Sequence, residues 1–307
     1  MDTYTENSFE REIPGAMVAE YTLNLTVHDP LLNRSIVELY TGIKVYRNKE
    51  EWVMGAIISI GNQKGGVGKT TTTAITGYLL SKKYKVLCVD FDSQGNLTQF
   101  LTQRDIHDYS KMTIFEACKN MNPTPYIRKL TYNLHFIPAD EMLATLPLLI
   151  HQNPSMSSTI LRDTLHKVKA RYDYILIDLP PNLGEHTING LVASDYAIVM
   201  LQCEPMCYDA LDRYIATMIH IKEVKKLDLV LCGILPTMID SRTIIDKTII
   251  DRVRREYEEV VFRAEIKRRN RIKEFSITGI QEYSNSDTSA LRNYRNFVEE
   301  LEQRVQA

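Results

Sequence analysis

The amino-acid sequence predicts an α/β fold, in which helices flank both faces of a doubly wound, mostly parallel sheet. From about residue 54 onward, short apolar runs rich in β-branched residues alternate with segments of helical periodicity. A glycine-rich turn joins the first apolar run to the first helical segment. Two later apolar runs end in aspartates. Because such sheets bind ligands at the carboxyl ends of their strands, these observations predict a binding site at that edge.

Seven apolar runs are predicted to form strands, because each is short and is bounded by polar or turn residues. They are Met54–Ile60, Lys85–Phe91, Asn133–Pro138, Tyr174–Leu179, Tyr196–Gln202, Leu227–Leu235 and Val260–Ile266. Five longer segments carry the clearest helical periodicity. They are Thr70–Lys82, Ser158–Arg171, Tyr208–Lys225, Thr243–Glu258 and Thr288–Val305. Alternation of this kind favours parallel strands that are joined through helices.

The glycine-rich turn reads Gly-Asn-Gln-Lys-Gly-Gly-Val-Gly-Lys-Thr-Thr and predicts a phosphate-binding loop. Gly65, Gly66 and Gly68 let the backbone turn tightly and direct its N–H groups toward phosphate oxygens. The helix that begins near Lys69 adds the positive end of its dipole. Lys69 is expected to reach the β- and γ-phosphates, and the Thr70 hydroxyl is expected to bind Mg²⁺.

Carboxylates at two strand ends are the expected companions of this loop. Asp90 and Asp92 lie two residues apart at the end of the second strand, and only one of them is expected to face a γ-phosphate directly. Asp178 ends another buried strand, which is how a Walker B carboxylate reaches the Mg²⁺ shell. Pro180 and Pro181 stop that strand and stiffen the loop after it. Buried carboxylates are costly unless they serve a cation or water.

Three motifs occur in a fixed order along the chain. They are Lys-Gly-Gly-Val-Gly-Lys-Thr-Thr from Lys64, Asp-Phe-Asp-Ser-Gln-Gly-Asn from Asp90, and Ile-Asp-Leu-Pro-Pro from Ile177. Together they resemble the ParA/MinD superfamily of deviant Walker A ATPases, and ParA-type partition ATPases in particular. Later segments that start at Thr237 and Ala264 resemble the same family. The resemblance covers roughly residues 54–305 and implies ATP and Mg²⁺ as cofactors.

The resemblance implies roles for individual residues. Lys64 resembles the signature lysine, which crosses a dimer interface to the partner's ATP, and Lys69 would bind ATP in its own subunit. Asp92 would position or activate the attacking water. The implied magnesium residues are Thr70, Asp90 and Asp178. The implied nucleotide-binding residues are Gly65, Gly66, Val67, Gly68, Lys69, Thr70, Thr71, Pro236, Thr237 and Met238, of which the last three would contact adenine.

The sequence departs from the family pattern in three places. Ser93 stands where the family typically has proline, and the loop at residues 205–209 is longer. In the late segment, Lys267 replaces a proline and Arg269 replaces an asparagine, which makes the segment more basic. The longer loop puts a direct role for that loop in doubt.

Length and composition set limits on the organisation of the chain. Its 307 residues suffice for one large or two small domains, and 44% of them are hydrophobic. We expect an N-terminal extension at residues 1–53 and an ATPase domain at 54–307. Residues 1–43 hold seven acidic and two basic side chains, and helical spacing at 31–43 favours packing on the core or on a partner. A mobile tail is the alternative.

Charge and cysteine usage restrict the location and the partners. The net charge of −2 predicts no general affinity for nucleic acid or membranes, so any such surface is a local patch. The odd number of cysteines, five, is typical of a cytoplasmic protein with reduced thiols. No run approaches the ~18 apolar residues of a membrane-spanning helix. The resemblance adds association with the nucleoid.

One stretch of the chain is strongly basic. Residues 263–273 carry six cationic side chains against the single acid Glu265, which is typical of a surface that binds phosphate backbones. A solvated helix face is the alternative from charge alone. Family arginines associated with DNA binding match Arg242, Arg268 and Arg271. The predicted DNA-binding residues are Arg242, Lys267, Arg268, Arg269, Arg271 and Lys273, and sequence-independent binding to double-stranded DNA is expected.

The resemblance implies an ATP-hydrolysing protein of plasmid or chromosome partition. ATP would close a homodimer, the dimer would bind non-specific DNA, and a centromere-binding, ParB-like partner would stimulate hydrolysis. A MinD-like membrane-cycling ATPase is the alternative, and it needs a basic amphipathic helix at the C-terminus. In the last helical segment, the polar side opposite the apolar stripe carries glutamates instead of basic residues, so the stripe favours core packing. Iron–sulfur carriers and tyrosine kinases of this superfamily fit less well, because the chain lacks a C-x-x-C pair and a terminal tyrosine cluster.

Overall fold

The computed structural model describes residues 55–153, 158–204, 207–240 and 242–306. The predicted N-terminal extension, its boundary near residue 53 and the helical pattern at 31–43 lie outside the described residues. The described part forms the predicted α/β arrangement, with helices on both faces of one sheet. This confirms the fold class.

Seven strands of the described chain form one sheet in the order β3-β4-β2-β5-β1-β6-β7. The strands are β1 Ala56–Gly61, β2 Val86–Asp90, β3 Arg128–Lys129, β4 Leu134–Ile137, β5 Tyr174–Asp178, β6 Tyr196–Gln202 and β7 Val230–Thr237. The short β3 runs antiparallel to β4, and every other neighbouring pair is parallel. Parallel strands with both faces covered are built from continuous apolar runs, as found here.

The helices pack on the two faces of this sheet. They are α1 Lys69–Leu80, α2 Asn96–Thr102, α3 Ile114–Lys119, α4 Leu146–Gln152, α5 Ile160–Lys169, α6 Glu185–Ala193, α7 Cys207–Lys225, α8 Ile244–Tyr257, α9 Asn270–Thr278 and α10 Asn285–Gln306. The five segments with the clearest periodicity correspond to α1, α5, α7, α8 and α10. No helix in the described ranges is long and apolar enough to cross a bilayer.

Strand β1 lies in the interior of the sheet, between β5 and β6. Every residue of β1 is buried. At its amino end, the Ile57 N–H donates to Asp195 Oδ2 at 2.8 Å, and Lys169 Nζ donates to the same carboxylate. At the carboxyl ends of the strands, Asp90 of β2 lies in register with Asp178 of β5. The glycine loop and both strand-end carboxylates therefore meet at the carboxyl edge.

The prediction of a strand at Val260–Ile266 is wrong. Isolated bridges at Val261 and, just beyond the segment, at Lys267 join it to the chain around β7, with backbone hydrogen bonds from Phe262 to Ile234 and from Ile266 to Pro236, each at 2.9 Å. Between them, the backbone N–H groups of Arg263 and Ala264 donate to the carboxylate of Glu300, each at 3.0 Å. One side chain of α10 thus binds two consecutive N–H groups, which in a regular strand point to opposite sides, so the segment runs beside β7 without forming a regular strand.

The apolar stripe of the C-terminal helix α10 is core packing, as predicted. Leu291, Tyr294, Phe297, Val298, Leu301 and Val305 are buried. At the end of the helix, the Arg304 guanidinium donates to the carbonyl oxygens of Cys232, Glu259, Val260 and Val261 at 2.9 to 3.1 Å. It also pairs with Glu300 at 2.8 Å. This guanidinium ties α10 to β7 and to the segment that follows α8.

Candidate active site

The phosphate-binding loop leaves the carboxyl end of β1 and leads directly into α1. Gly66 and Gly68 have φ angles of 76° and 86°, in the left-handed region that glycine adopts at little cost. A Cβ at Gly66 would meet no atom within 4 Å, so backbone conformation rather than crowding requires glycine there. No side chain caps the first turn of α1. Its N–H groups are therefore suited to an anion.

A cleft of about 470 Å³ opens beside this loop. The predicted residues that line it are Gly65, Gly66, Gly68, Lys69, Thr70, Thr71, Asp92 and Met238. Five further lining residues were not predicted: Asn96, Gln99, Phe100, Pro181 and Ser276. Asn96, Gln99 and Phe100 lie on one side of α2 at helical spacing, which is a signal that the sequence contains. Ser276 comes from α9, and only the folded chain brings it here.

Lys69 is the buried cation of the cleft. Its side chain is almost fully buried, and its ammonium donates to the Lys64 carbonyl at 3.2 Å. Burial lowers the pKa of Lys69, while the carboxylates of Asp178 and Asp92 act in the opposite direction. A buried ammonium beside uncapped backbone N–H groups is a favourable environment for phosphate oxygens.

Thr70 and Asp178 supply oxygen ligands of the kind that Mg²⁺ prefers. The Thr70 hydroxyl donates to Asp178 Oδ2 at 2.7 Å, and the Thr73 hydroxyl donates to Asp178 Oδ1 at 3.3 Å. Burial, and then the negative charge of Asp90, raise the pKa of Asp178 to about 8. A divalent cation would stabilise the ionised form of this carboxylate. The residues present therefore fit a magnesium ion shared with a bound phosphate.

The structure separates the two carboxylates at the end of β2. Asp92 lines the cleft and accepts a hydrogen bond from the Gln94 N–H at 3.1 Å. Asp90 accepts from the N–H and the hydroxyl of Thr98, at 2.8 and 2.7 Å, and from the Asp92 N–H at 3.3 Å. Burial raises the pKa of Asp90 to about 7. The magnesium role of Asp90 stays a prediction, and Thr98 is a structural partner that the sequence pattern does not indicate.

The raised pKa of Asp178 makes stability depend on pH. In the unfolded chain this carboxyl has a pKa near 3.8, so between about pH 4 and pH 8 only the folded protein holds its proton. The free energy of unfolding without magnesium and nucleotide is expected to fall as the pH rises through this window. In an Asp178→Asn variant the fall should be smaller, because the contribution of Asp178 is gone and only other carboxyls of raised pKa, such as Asp90, remain. Urea titrations at pH 5, 6, 7 and 8 measure both slopes, and equal slopes would contradict the assignment.

A second cavity of about 360 Å³ adjoins the cleft on the side away from Asp92. Thr237 and Met238 form part of its wall, and their contact with adenine stays a prediction. The Thr237 hydroxyl lies within hydrogen-bond distance of the carbonyls of Val67 and Leu201, at 3.0 and 3.3 Å. It thereby connects the glycine loop to the end of β6. Pro236 is buried within β7 and lines neither cavity, so its contact with adenine stays a prediction.

Most of the predicted DNA-binding cations are exposed. Lys267, Arg268, Arg269 and Lys273 line the second cavity and face solvent. Arg242 is also exposed, and it pairs with Asp240 at 2.6 Å. The basic segment and the glycine loop therefore share the wall of the second cavity.

Arg271 differs from the other cations of this segment. Its guanidinium donates to Asp287 at 2.6 Å, to Glu274 at 2.7 Å and to Gln281 at 3.0 Å. Asp287 is buried at the start of α10. The side chain of Arg271 thus joins α9 to α10 and presents less charge to solvent than its neighbours do.

Lys64 lies at the entrance of the glycine loop and pairs with a carboxylate of its own chain. Its ammonium forms an ion pair with Glu204, just beyond the end of β6. Its backbone N–H donates to Asn62 Oδ1 at 2.8 Å. Neither Asn62 nor Glu204 was among the predicted site residues. Both follow strands that are neighbours in the sheet, which is a signal that the sequence contains.

Comparisons with known proteins agree with this geometry. A family model described as an AAA domain matches residues 55–231, which is more than half of the chain. The sporulation initiation inhibitor protein Soj of Bacillus subtilis is 38% identical over 224 residues, which are 72% of this chain and 87% of Soj. The chromosome partitioning protein ParA of Myxococcus xanthus is 37% identical over 235 residues, covering 74% and 81% of the two chains.

Two solved structures share the fold. A cobyrinic acid a,c-diamide synthase of Mycobacterium smegmatis with bound ADP and magnesium aligns with a TM-score of 0.68 and 29% identity, over 80% of this chain and 92% of that one. A plasmid partition protein of Borrelia burgdorferi aligns with a TM-score of 0.64 and 25% identity, over 80% and 96%. A family model matches more than half of the chain, and two relatives are more than 30% identical to it. The chain therefore belongs to the ParA-type family of deviant Walker A ATPases.

Proposed function

We propose that this ATPase is a DNA-partition switch, in which ATP closes a homodimer and the dimer holds non-specific double-stranded DNA. The observation that carries the proposal is the shared wall. Exposed cations from Lys267 to Lys273 line the same cavity system as the glycine loop. Relatives named for chromosome and plasmid partition support this function over a membrane-cycling role. A centromere-binding adaptor of the ParB kind would act on the dimer, in the cytoplasm and on the nucleoid.

The residues of the cleft divide the work of hydrolysis. Backbone N–H groups of the glycine loop and the ammonium of Lys69 bind and orient the phosphates. Thr70 and Asp178 would hold the magnesium ion, which would neutralise charge on the phosphates. Asp92 faces the cleft and orients the attacking water by accepting its hydrogen bond. Positioning and charge neutralisation are most of what phosphoryl transfer requires from a protein.

Lys64 completes the site in trans in this proposal. Its ammonium contacts the phosphates of a second copy of the chain, so hydrolysis depends on dimerisation. The exposed position of Lys64 at the mouth of the loop supports this role, because its side chain is 40% exposed whereas Lys69 is buried. Two lysines of one loop thus serve two different nucleotides.

The proposed DNA surface consists of exposed cations that bind phosphates and do not recognise particular bases. Contacts to phosphates position a protein on a duplex but carry little sequence information. Arg242, Lys267, Arg268, Arg269 and Lys273 are exposed enough for this role. Arg271 supports the surface from behind by holding α9 against the start of α10.

A DNA-binding assay tests the proposal directly. Duplex binding is expected with ATP, and it should be much weaker with ADP or without nucleotide. A Lys267→Ala, Arg269→Ala double variant should bind duplex at least about tenfold more weakly. The negative slope of log K against log salt should become less steep by roughly two. Fluorescence anisotropy of a labelled duplex across a salt series measures both quantities.

The matched control replaces one lysine and one arginine elsewhere on the surface. Lys119 and Arg171 are exposed and lie away from both cavities. A Lys119→Ala, Arg171→Ala variant should keep the affinity and the salt slope of the parent. Binding of a fluorescent ATP analogue shows whether each variant still takes nucleotide. Equal DNA affinity in the two double variants would refute the assigned surface, and duplex binding that ignores ATP would refute the switch.

A further inference from the structure

The ammonium of Lys64 has a partner within its own subunit. It forms an ion pair with Glu204 Oε2. The other oxygen of that carboxylate accepts from the side-chain amide of Gln202, the last residue of β6. The Glu204 backbone N–H donates to the Gln202 carbonyl at 2.9 Å. Glu204 is thus oriented toward the glycine loop by contacts of its own.

The backbone of Lys64 is held at both of its polar groups. Its N–H donates to Asn62 Oδ1, and the Asn62 amide donates to the Met200 carbonyl of β6. Its carbonyl accepts from the ammonium of Lys69 at 3.2 Å. One of these contacts is therefore made by Lys69, the lysine that binds the phosphates of ATP in the proposed function.

We propose that Glu204 is a positioning residue that holds Lys64 in its own subunit until a second, nucleotide-loaded copy of the chain binds. This inference rests on the proposed function, in which Lys64 acts in trans. A phosphate that engages Lys69 competes with the Lys64 carbonyl and loosens the loop entrance. The several negative charges of the partner's triphosphate then compete with the single charge of Glu204 for the ammonium.

The exposure of the Lys64–Glu204 ion pair, called the latch below, determines how strongly it holds Lys64. The side chains of Lys64 and Glu204 are 40% and 43% exposed, so water screens their attraction. Such a contact delays dimerisation by a small factor and is readily reversed. Loss of Glu204 is therefore expected to promote dimerisation about two- to fivefold rather than to make it independent of nucleotide.

Acylation of lysines tests the latch in the single chain. Without nucleotide, a Glu204→Gln variant should react with acetic anhydride at Lys64 about two- to fivefold faster than the parent, as measured by mass spectrometry. The Gln side chain can still accept from Gln202. A Glu302→Gln variant is the matched control, because Glu302 pairs with the exposed Lys83 at 3.4 Å. It should change the labelling of Lys83 and leave Lys64 unchanged.

Dimerisation with the non-hydrolysable analogue AMPPNP tests the consequence. In analytical ultracentrifugation, Glu204→Gln should lower the chain concentration of half-dimerisation about two- to fivefold. Unchanged labelling of Lys64, or faster labelling with an unchanged midpoint, overturns the latch. A Lys64→Ala variant separates this from the proposed function. If that variant forms the dimer normally, the trans role of Lys64 fails, whatever the result for Glu204.

Discussion

Replacing Lys69 by alanine is expected to reduce the rate of ATP hydrolysis by at least about a hundredfold, the scale of losing one preorganised group that stabilises transition-state charge. The ammonium of Lys69 is almost fully buried beside the glycine loop, so water cannot replace its charge. Burial lowers its pKa, and the carboxylates of Asp178 and Asp92, where they are ionised, act in the opposite direction. Without it, developing negative charge on the phosphates lacks its nearest cation.

Steady-state release of phosphate, at ATP concentrations well above KM, measures the effect of this change. Lys83→Ala is the control, because Lys83 is 66% exposed and lies beyond the end of α1. Thermal unfolding should show that Lys69→Ala remains folded, because the change removes a buried charge. A variant that keeps more than about a tenth of the parent rate would show that the backbone N–H groups suffice, and the role assigned to Lys69 would be wrong.

Replacing Arg304 by alanine is expected to lower the free energy of unfolding by about 3 kcal/mol or more. The guanidinium donates to four backbone carbonyls and pairs with Glu300, and its side chain is only 11% exposed. It also stacks on the ring of Phe262, with 4.0 Å between the guanidinium carbon and the ring centroid. The change leaves buried carbonyls without their donor and Glu300 without its partner.

Urea unfolding of the two proteins at one pH measures this loss. Arg295→Ala is the matched control, because Arg295 lies on the same helix and pairs with Glu282 from a more exposed position. That change should cost at most about 1 kcal/mol. ATP hydrolysis at low temperature should survive both changes, since neither residue lines the cleft. A loss below about 1 kcal/mol for Arg304 would show that water replaces its hydrogen bonds.

The nucleotide site was predictable because its signals are local. The glycines, Lys69 and Thr70 lie within a few residues of one another, and strand, loop and helix follow in sequence. Asp178 could be found because a buried strand that ends in a carboxylate is visible in the sequence. The family resemblance supplied what spacing alone could not, which is a role for Lys64 in a second subunit.

The errors arose where a distant residue decides the outcome. The segment from Val260 to Ile266 has the composition of a strand, yet Glu300 takes two of its N–H groups. The DNA role of Arg271 stays a prediction, but its pairing with Asp287 could not be read from the sequence either. Local pattern gives the type of a side chain and the order of the elements. It does not give the partner that a side chain meets once helices from the C-terminal region pack against the sheet.

The interior position of β1 has a consequence for synthesis of the chain. This strand emerges first among the described elements, but its neighbours β5 and β6 begin only at residues 174 and 196. A ribosome adds about 5–20 residues each second, so β1 waits on the order of ten seconds for both neighbours. During that time an apolar strand with two open edges is available to other chains. A nascent chain can thus carry the whole glycine loop and still have no nucleotide site.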